Sequence, residues 1–374
     1  MKVLVRLDTQ LENLSMGKTE KNIMESLAWL KYSLNPKTEQ PIVSDWDALL
    51  DFADKQKITG VCLPSQCPEN LEKDLLLQWI GQVQLIESQN KLVNTRVGML
   101  FEMLENAGFP CVLLKGQGNA GMYPNPLVRC SGDIDVWIDG EEKNVFQYVK
   151  SLFPETEESF KHIHFPIFND VSVDIHITPL KFYSGRYNRR LQNWIEKQKN
   201  EQFSNKKVIT GIDKNICVPT CGFNVVYQLG HMLIHLFDEG VGLRQVVDYF
   251  YVLKEFHNSG MSKNEVEDVL KELGMNDFAK AIMWIESEVL GLGDEYCIVV
   301  PDERSGKILL KDILEGGNFG HYSNRYKGRT GFAYKGLVKV KRNIKLVPFA
   351  LREGLARVLF RAGTAIRYQL KLCS

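Results

Sequence analysis

The sequence predicts an α+β protein in which a small mixed β-sheet is flanked by N- and C-terminal helical regions. Apolar residues follow helical spacing over residues 20–110. Short apolar or alternating runs replace that spacing between 111 and 210, and helical spacing then returns. A chain of 374 residues is long enough for more than one packed unit. We therefore expect four regions: an N-terminal helical region (1–110), a mixed core (111–210), a C-terminal helical region (211–300), and a glycine-rich arm with a basic tail (301–374).

Helical spacing and helix-end signals define the elements of the N-terminal region. Asp45 or Ser44 can cap the second helix, and Gly108 followed by Pro110 is a common end for the third. The predicted helices are 20–34, 46–56 and one or two helices within 71–107.

The mixed core begins with two short apolar runs, 111–114 and 129–138, which predict strands. Two further runs, 162–168 and 171–177, are separated by Asn169-Asp170, which predicts a two-residue hairpin turn. That turn would place Asp174 opposite Phe165. His162 and His164 would then lie on the sheet face opposite Asp174 and would have a structural role.

Helical spacing returns after the core. The predicted helices are 222–237, 243–257, 263–273 and 277–290. Residues 316–336 are rich in glycine and aromatics without a clear period, and we interpret them as a loop or an extended arm.

Charge is distributed unevenly along the chain although its net value is zero. Residues 335–374 contain ten Lys or Arg residues and one acidic residue, Glu353. This asymmetry predicts contact with an anionic surface. The same tail is amphipathic, so a helix packed on the body of the protein is an alternative. If the tail does not pack on the body, its partner would be an anionic membrane surface or a nucleic acid. The tail has few aromatic residues between its basic ones, which does not favour a nucleic acid.

The remaining composition favours a cytoplasmic protein. The eight cysteines lack the C-x2-C spacing of a zinc site and predict reduced thiols. The N-terminus reaches charged residues at once, so we expect no secretory signal. No apolar run has the length of about 18 residues that a transmembrane helix needs.

The most informative motif is Gly132-Asp133-Ile134-Asp135-Val136. Alternate residues of a strand point to the same face, so Asp133 and Asp135 share one face. Two adjacent negative charges are unfavourable unless positive charge lies between them. Mg²⁺ binds one or two carboxylates and leaves room for substrate phosphates. The motif therefore predicts phosphoryl or nucleotidyl transfer.

Residues on either side of this motif can complete such a site. Gly116 follows an apolar run, and a glycine there lets backbone N–H groups approach a phosphate closely. Lys115 and Arg129 supply positive charge, and Arg can hold a phosphate through two N–H groups. Asp174 offers a third carboxylate, or is simply a polar residue on a half-buried hairpin. Three carboxylates with two Mg²⁺ ions form a two-metal site, which lowers the pKa of the attacking hydroxyl and neutralises the triphosphate as pyrophosphate leaves.

A series of motifs, taken in order, resembles uncharacterised bacterial nucleotidyltransferases of the DNA polymerase β-like superfamily. These motifs are Lys115-Gly116, Tyr123-Pro124, Arg129, Gly132 to Asp135, and Val173 to His176. A later block containing His231, His235, Arg244 and Asp248 is also similar, and the resemblance spans roughly residues 45–260. It implies a nucleotidyltransferase core that transfers a nucleoside monophosphate from an NTP to a hydroxyl-bearing acceptor with Mg²⁺.

The resemblance also implies roles for individual residues. Asp133 and Asp135 would be metal ligands, and Asp174 would complete the metal-binding and catalytic set. The nucleotide-binding residues would be Lys115, Gly116, Arg129 and Gly132. The acceptor side would hold His176, His231, His235, Arg244 and Asp248.

One position departs from the superfamily pattern, because Gly116 is followed by Gln117 where Gly-Ser or Gly-Gly is expected. This change leaves open a second interpretation, a catalytically degenerate nucleotide-binding regulatory protein.

His231 and His235 share a helix face and could bind zinc in a hydrolase. They lack the internal Glu of H-E-x-x-H, so buried, hydrogen-bonded histidines are favoured. Arg244 and Asp248 have the same spacing and could form a helix ion pair.

Overall fold

The computed structural model describes residues 17–156, 162–320, 342–344 and 346–360. The β-strands in these residues are β1 (Cys111–Leu114), β2 (Ile134–Ile138), β3 (Ile163–His164), β4 (Val173–His176), β5 (Lys206–Lys207) and β6 (Ile216–Cys217). The helices are α1 (Lys18–Leu34), α2 (Trp46–Gln56), α3 (Lys73–Asn106), α4 (Gly116–Ala120), α5 (Glu142–Leu152), α6 (Gly185–Ser204), α7 (Cys221–Asp238), α8 (Leu243–Asn258), α9 (Lys263–Glu272), α10 (Asn276–Trp284), α11 (Glu303–Gly316) and α12 (351–360).

The main sheet has four strands in the order β1-β2-β4-β3. β2 is parallel to β4, and the two outer pairs are antiparallel. The predicted α+β class with a small mixed sheet is therefore confirmed. Its register places Leu114, Asp135, Asp174 and His164 side by side across the four strands. Residues that lie abreast point to the same face, so the two aspartates are neighbours there.

Both faces of the sheet are covered by apolar side chains. Leu113 and Val136 belong to a core shared with α3 and α5, whereas Leu114 and Trp137 belong to the larger core that contains α7 and α8. The ring of Trp137 stacks on Phe223 of α7, with the ring centroids 5.8 Å apart. α7 is buried on nearly all sides and packs against the sheet face that carries Asp135.

The predicted helices are largely confirmed, and their ends have identifiable causes. The side chain of Asp45 caps α2 by accepting a 3.0 Å hydrogen bond from the backbone N–H of Ala48. α3 ends before Gly108, whose φ of 80° is the left-handed conformation that glycine adopts without strain. The predicted helix 277–290 is α10 continued by a π-helical turn, Ile285–Val289.

The predicted register of the β3–β4 hairpin is wrong by one residue. β3 contains only two residues, and the connection spans 165–172 instead of the two-residue Asn169-Asp170 turn. Pro166 has no N–H to donate to the ladder, so the chain leaves the sheet there. His164, not Phe165, therefore pairs with Asp174.

The C-terminal segment is only partly described. Of the predicted arm at 316–336, residues 321–336 lie outside the described residues. The same is true of much of the predicted basic tail, namely 335–341, 345 and 361–374. The described parts, 342–344 and 346–360, pack on the body, with Phe349, Glu353 and Arg357 buried. Among the described helices, none combines the length and apolar composition of a membrane-crossing segment.

Candidate active site

An acidic cluster lies at the edge of the main sheet. Asp133 immediately precedes β2, Asp135 is in β2 and Asp174 is in β4. One carboxylate oxygen from each lies within 4.8 Å of the others. The parallel pairing of β2 with β4 brings these residues together. Asp135 is buried, Asp174 is half-buried and Asp133 is exposed to the cleft.

Asp135 is held in its ionised form by two neighbours. Its Oδ2 lies 2.9 Å from Nζ of Lys115, and its Oδ1 lies 2.8 Å from Nε2 of His176. Burial raises the pKa of Asp135, but the charge of Lys115 and the hydrogen bond from His176 outweigh it and hold that pKa below the usual 3.8. This carboxylate is therefore an anion at neutral pH.

Asp133 shows the opposite effect. The charge of Asp135, followed by burial, raises the pKa of Asp133, and Lys115 only partly opposes them. Negative charge at the cluster thus exceeds the positive charge provided by the protein. Three convergent carboxylates are hard oxygen ligands of the kind that Mg²⁺ prefers. The donor set and its excess charge both fit a divalent cation held by Asp133, Asp135 and Asp174.

Lys115 occupies the turn between β1 and α4. Its φ of 48° is unusual for a residue with a side chain, and the next residue, Gly116, has a φ of 40°. The Nζ of Lys115 also lies 2.9 Å from Nε2 of His231. In turn, Nε2 of His231 is 3.1 Å from Nε2 of His235, whose Nδ1 is 3.4 Å from Glu239. Polar contacts therefore run from the sheet along one side of α7.

These contacts agree with the predicted hydrogen bonding of His231 and His235, but both side chains are half-buried instead of buried. Among the described residues, only Asp133, Asp135 and Asp174 form a cluster whose spacing suits a metal ion. Neither His231 nor His235 belongs to this cluster. The structure gives the zinc-hydrolase interpretation no support.

Gln117, the residue that departs from the superfamily pattern, has a structural contact. Its side chain is buried, and its Nε2 donates a hydrogen bond to Oδ1 of Asn94 on α3. Asn94 in turn donates to the backbone oxygen of Thr210. The changed residue therefore ties the turn to neighbouring elements, while Gly116 lines the cleft.

The structure pairs two residues for which the sequence predicted separate roles. Nε of Arg129 lies 2.7 Å from Oδ1 of Asp248, and Nη2 lies 2.7 Å from Oδ2. Tyr123 adds a 2.6 Å hydrogen bond from its hydroxyl to Asp248. The sequence spacing allows Arg244 as an ion-pair partner of Asp248, and it does not predict the contact with Arg129. Arg244 donates to the backbone oxygen of Cys130 from the neighbouring turn of α8.

His162 and His164 lie beside Asp174, contrary to the predicted register. Nδ1 of His164 is 3.3 Å from Oδ1 of Asp174, and Nε2 of His162 is 3.5 Å from Oδ2. His162 also meets the ring of His176, with the centroids 5.8 Å apart. The histidines that the sequence placed on the far face thus border the acidic cluster.

A cleft of about 340 Å³ unites these groups. The structure brings every predicted site residue to its lining: Lys115, Gly116, Arg129, Gly132, Asp133, Asp135, Asp174, His176, His231, His235, Arg244 and Asp248. The sequence interpretation missed several further polar lining residues: Thr178, Lys181, Gln228 and Glu239. Glu239 follows His235 by one helical turn, and this spacing is the signal that could have found it.

Comparison with known proteins gives a family match and a structural match. A family model described as an uncharacterised nucleotidyltransferase matches residues 43–291, a range that contains the whole cleft lining. The crystal structure of an antigenic nucleotidyltransferase-like protein from Paracoccidioides brasiliensis is similar at 12% identity and a TM-score of 0.33, over 57% of this chain and 95% of that chain. No curated protein matches this sequence. Because the family model covers more than half of the chain, the protein belongs to this family of uncharacterised nucleotidyltransferases.

Proposed function

We propose that the protein is a Mg²⁺-dependent enzyme that transfers a nucleoside monophosphate from an NTP to a hydroxyl group of an acceptor. The observation that carries this proposal is the convergence of Asp133, Asp135 and Asp174 beside Lys115. In the reaction, the acceptor oxygen forms a bond to the α-phosphorus, and the bond between that phosphorus and the bridging oxygen breaks. Pyrophosphate leaves with the electron pair of the broken bond.

All three carboxylates would bind Mg²⁺ in this proposal, and two of them have a further task. Asp174 faces the cleft from β4 and accepts the proton of the attacking hydroxyl. Asp135, fixed by Lys115 and His176, keeps its charge and orientation throughout. Mg²⁺ bound by the three carboxylates would lower the pKa of that hydroxyl and neutralise the triphosphate.

The nucleotide side is built from the turn after β1. The ammonium group of Lys115 lies 2.9 Å from Asp135, at the edge of the cluster, so we assign it to the triphosphate. Gly116 and Gly132 line the cleft without side chains that would block a phosphate. Arg129 uses Nε and Nη2 on Asp248, so we assign it to holding the 129–132 segment in place instead of gripping a phosphate.

We assign the acceptor to the remaining polar residues that line the cleft. They are His176, His231, His235, Arg244 and Asp248. This mixture of donors and acceptors suits a polar molecule with several hydroxyl groups. An NTP donor is consistent with the cytoplasmic location predicted from the sequence.

Thermal unfolding with each NTP, with and without Mg²⁺, tests the proposal. A ligand at about 100 times its Kd adds about 2.7 kcal/mol to the free energy of unfolding, which raises Tm by several degrees. We expect this Mg²⁺-dependent rise for one NTP in the wild type and its loss in Asp133→Asn/Asp135→Asn. The control is Asp213→Asn, which removes one exposed carboxylate outside the cleft and keeps the rise.

Pyrophosphate release in the presence of candidate acceptors then separates the two nucleotide-binding interpretations. Release that is lost in Asp174→Asn supports transfer. An NTP-dependent rise in Tm without release from any acceptor supports the regulatory alternative. No rise with any NTP in a folded sample removes both.

A further inference from the structure

The C-terminal helix α12 turns two of its three charged residues, Glu353 and Arg357, towards the protein, whereas Arg352 is exposed. Oε1 of Glu353 accepts a 2.6 Å hydrogen bond from the backbone N–H of Tyr183, and Oε2 accepts one of 2.9 Å from Ser184. Arg357 forms an ion pair with Asp238 and lies over the ring of Tyr183, 3.9 Å from its centroid. Glu353 and Arg357 are both buried.

The opposite face of α12 is apolar and exposed. Leu351, Leu355 and Leu359 lie at i, i+4 and i+8, so they form one stripe along the helix. Leu351 is 57% exposed and Leu359 is 72% exposed. A helix on the surface of a globular protein normally turns its apolar stripe inward and its charged residues outward. Contact with water is therefore an unfavourable environment for this stripe.

The charge of the surrounding sequence indicates what covers the stripe. Residues 335–374 contain ten Lys or Arg residues, of which Arg342 and Arg357 are paired with Asp312 and Asp238. The single acidic residue of this segment, Glu353, is buried against backbone N–H groups. The segment therefore offers an apolar stripe within a basic stretch of sequence, with its one carboxylate turned away from solvent.

We propose that α12 docks on an anionic lipid surface, with the three leucines inserted at the boundary of headgroups and acyl chains. Arg352, which is exposed on the same helix, would pair with a lipid phosphate. At 1.5 Å per residue, a helix of this size is about 15 Å long, so it lies in the plane of the surface and does not cross it.

Two other occupants fit less well. A nucleic acid would use the basic charge, but leucines neither stack on bases nor bond to their edges. A second copy of the chain would bring two strongly basic segments together in a symmetric contact, which their repulsion opposes. The lipid surface satisfies both the apolar and the basic character, and this inference does not depend on nucleotidyl transfer.

Flotation of the full-length protein with vesicles tests the proposal. Vesicles of phosphatidylcholine alone are compared with vesicles that also contain phosphatidylglycerol. The variant Leu351→Gln/Leu359→Gln removes two side chains of the stripe. The matched control, Leu77→Gln/Leu85→Gln, changes two leucines at the same i, i+8 spacing on α3 that are 65% and 72% exposed. All four positions are on the surface, so circular dichroism should show unchanged folding.

We expect the wild type and the α3 variant to bind the anionic vesicles, with affinity that falls as salt is added. The α12 variant should bind about tenfold more weakly or worse, because it loses two inserted side chains. No binding to anionic vesicles, equal binding to neutral ones, or an equal loss in both variants would overturn the proposal. So would a wild-type dimer that the α12 variant converts to a monomer without any vesicle binding.

Discussion

The imidazole of His176 reaches diagonally across two parallel strands to Asp135. His176 lies opposite Trp137 in the β2–β4 ladder, yet its Nε2 is 2.8 Å from Oδ1 of Asp135, two residues away on β2. Asp135 in turn lies opposite Asp174. The histidine therefore orients the buried member of the acidic cluster, and Lys115 holds the other oxygen of that carboxylate.

Replacing His176 by Ala should weaken the cation site without unfolding the protein. Residues that orient a metal ligand typically contribute 10–100-fold to metal affinity. We expect a shift of that size in a Mg²⁺ titration of the NTP-dependent rise in Tm. His176→Gln, which retains an N–H donor, should recover part of the loss. His257→Ala, in a histidine that packs on Tyr296, is the control and should match the wild type. A normal titration for His176→Ala would contradict this positioning role.

The buried pair of Arg129 with Asp248 should matter for stability. In Asp248→Asn, the guanidinium of Arg129 would remain buried without its counter-charge, and breaking such a pair typically costs about 3–5 kcal/mol. Urea unfolding measures this change in the free energy of unfolding. The double variant Arg129→Met/Asp248→Leu should be less destabilised than Asp248→Asn, because it leaves no unpaired charge.

A matched comparison comes from Arg96 and Asp170, which form an exposed ion pair with two similar contacts. Asp170→Asn should change the unfolding midpoint far less than Asp248→Asn. If Asp170→Asn and Asp248→Asn lowered the unfolding midpoint equally, burial would not explain the contribution of the Arg129–Asp248 pair to stability.

Glu286 should make stability depend on pH. Its carboxyl group is fully buried in the π-helical turn, and neither oxygen has a hydrogen-bond partner in the part of the chain that the structure describes. Burial raises the pKa of Glu286 well above its usual 4.5. The folded state therefore retains a proton that the unfolded state loses. The free energy of unfolding should fall as the pH rises from about 4.5 towards the folded-state pKa.

Glu286→Gln should flatten this pH dependence, because glutamine does not titrate. Tm measured from pH 4 to about 8 gives the slope for each variant. Glu288→Gln, which changes an exposed carboxylate on the same turn, should retain the wild-type slope. A wild-type slope in Glu286→Gln would mean that another group produces the dependence.

The local part of the site could be predicted from the sequence. Alternation along β2 put Asp133 and Asp135 on one face, and the Val173 to His176 motif marked a second strand with Asp174. The helix ends at Asp45 and Gly108 were predictable because their signals lie within one turn of the boundary.

The remaining features depend on contacts that local patterns do not encode. Arg129 and Asp248 are far apart in sequence, so only the packing of α8 on the turn before β2 reveals their pairing. The β3–β4 register failed for a different reason. The two-residue turn rule assumes that the ladder continues to the turn, and Pro166 ends it earlier.

The candidate site depends on helices that follow the sheet in the sequence, because Lys115 contacts His231 on α7. A fragment cut after β6 would keep all three carboxylates but would lose the partner of Lys115 on α7 and the counter-ion of Arg129 on α8. Such a fragment would therefore leave Lys115 without its contact to His231 and Arg129 without its contact to Asp248. Attempts to excise a minimal version of this protein need to retain the chain through α8.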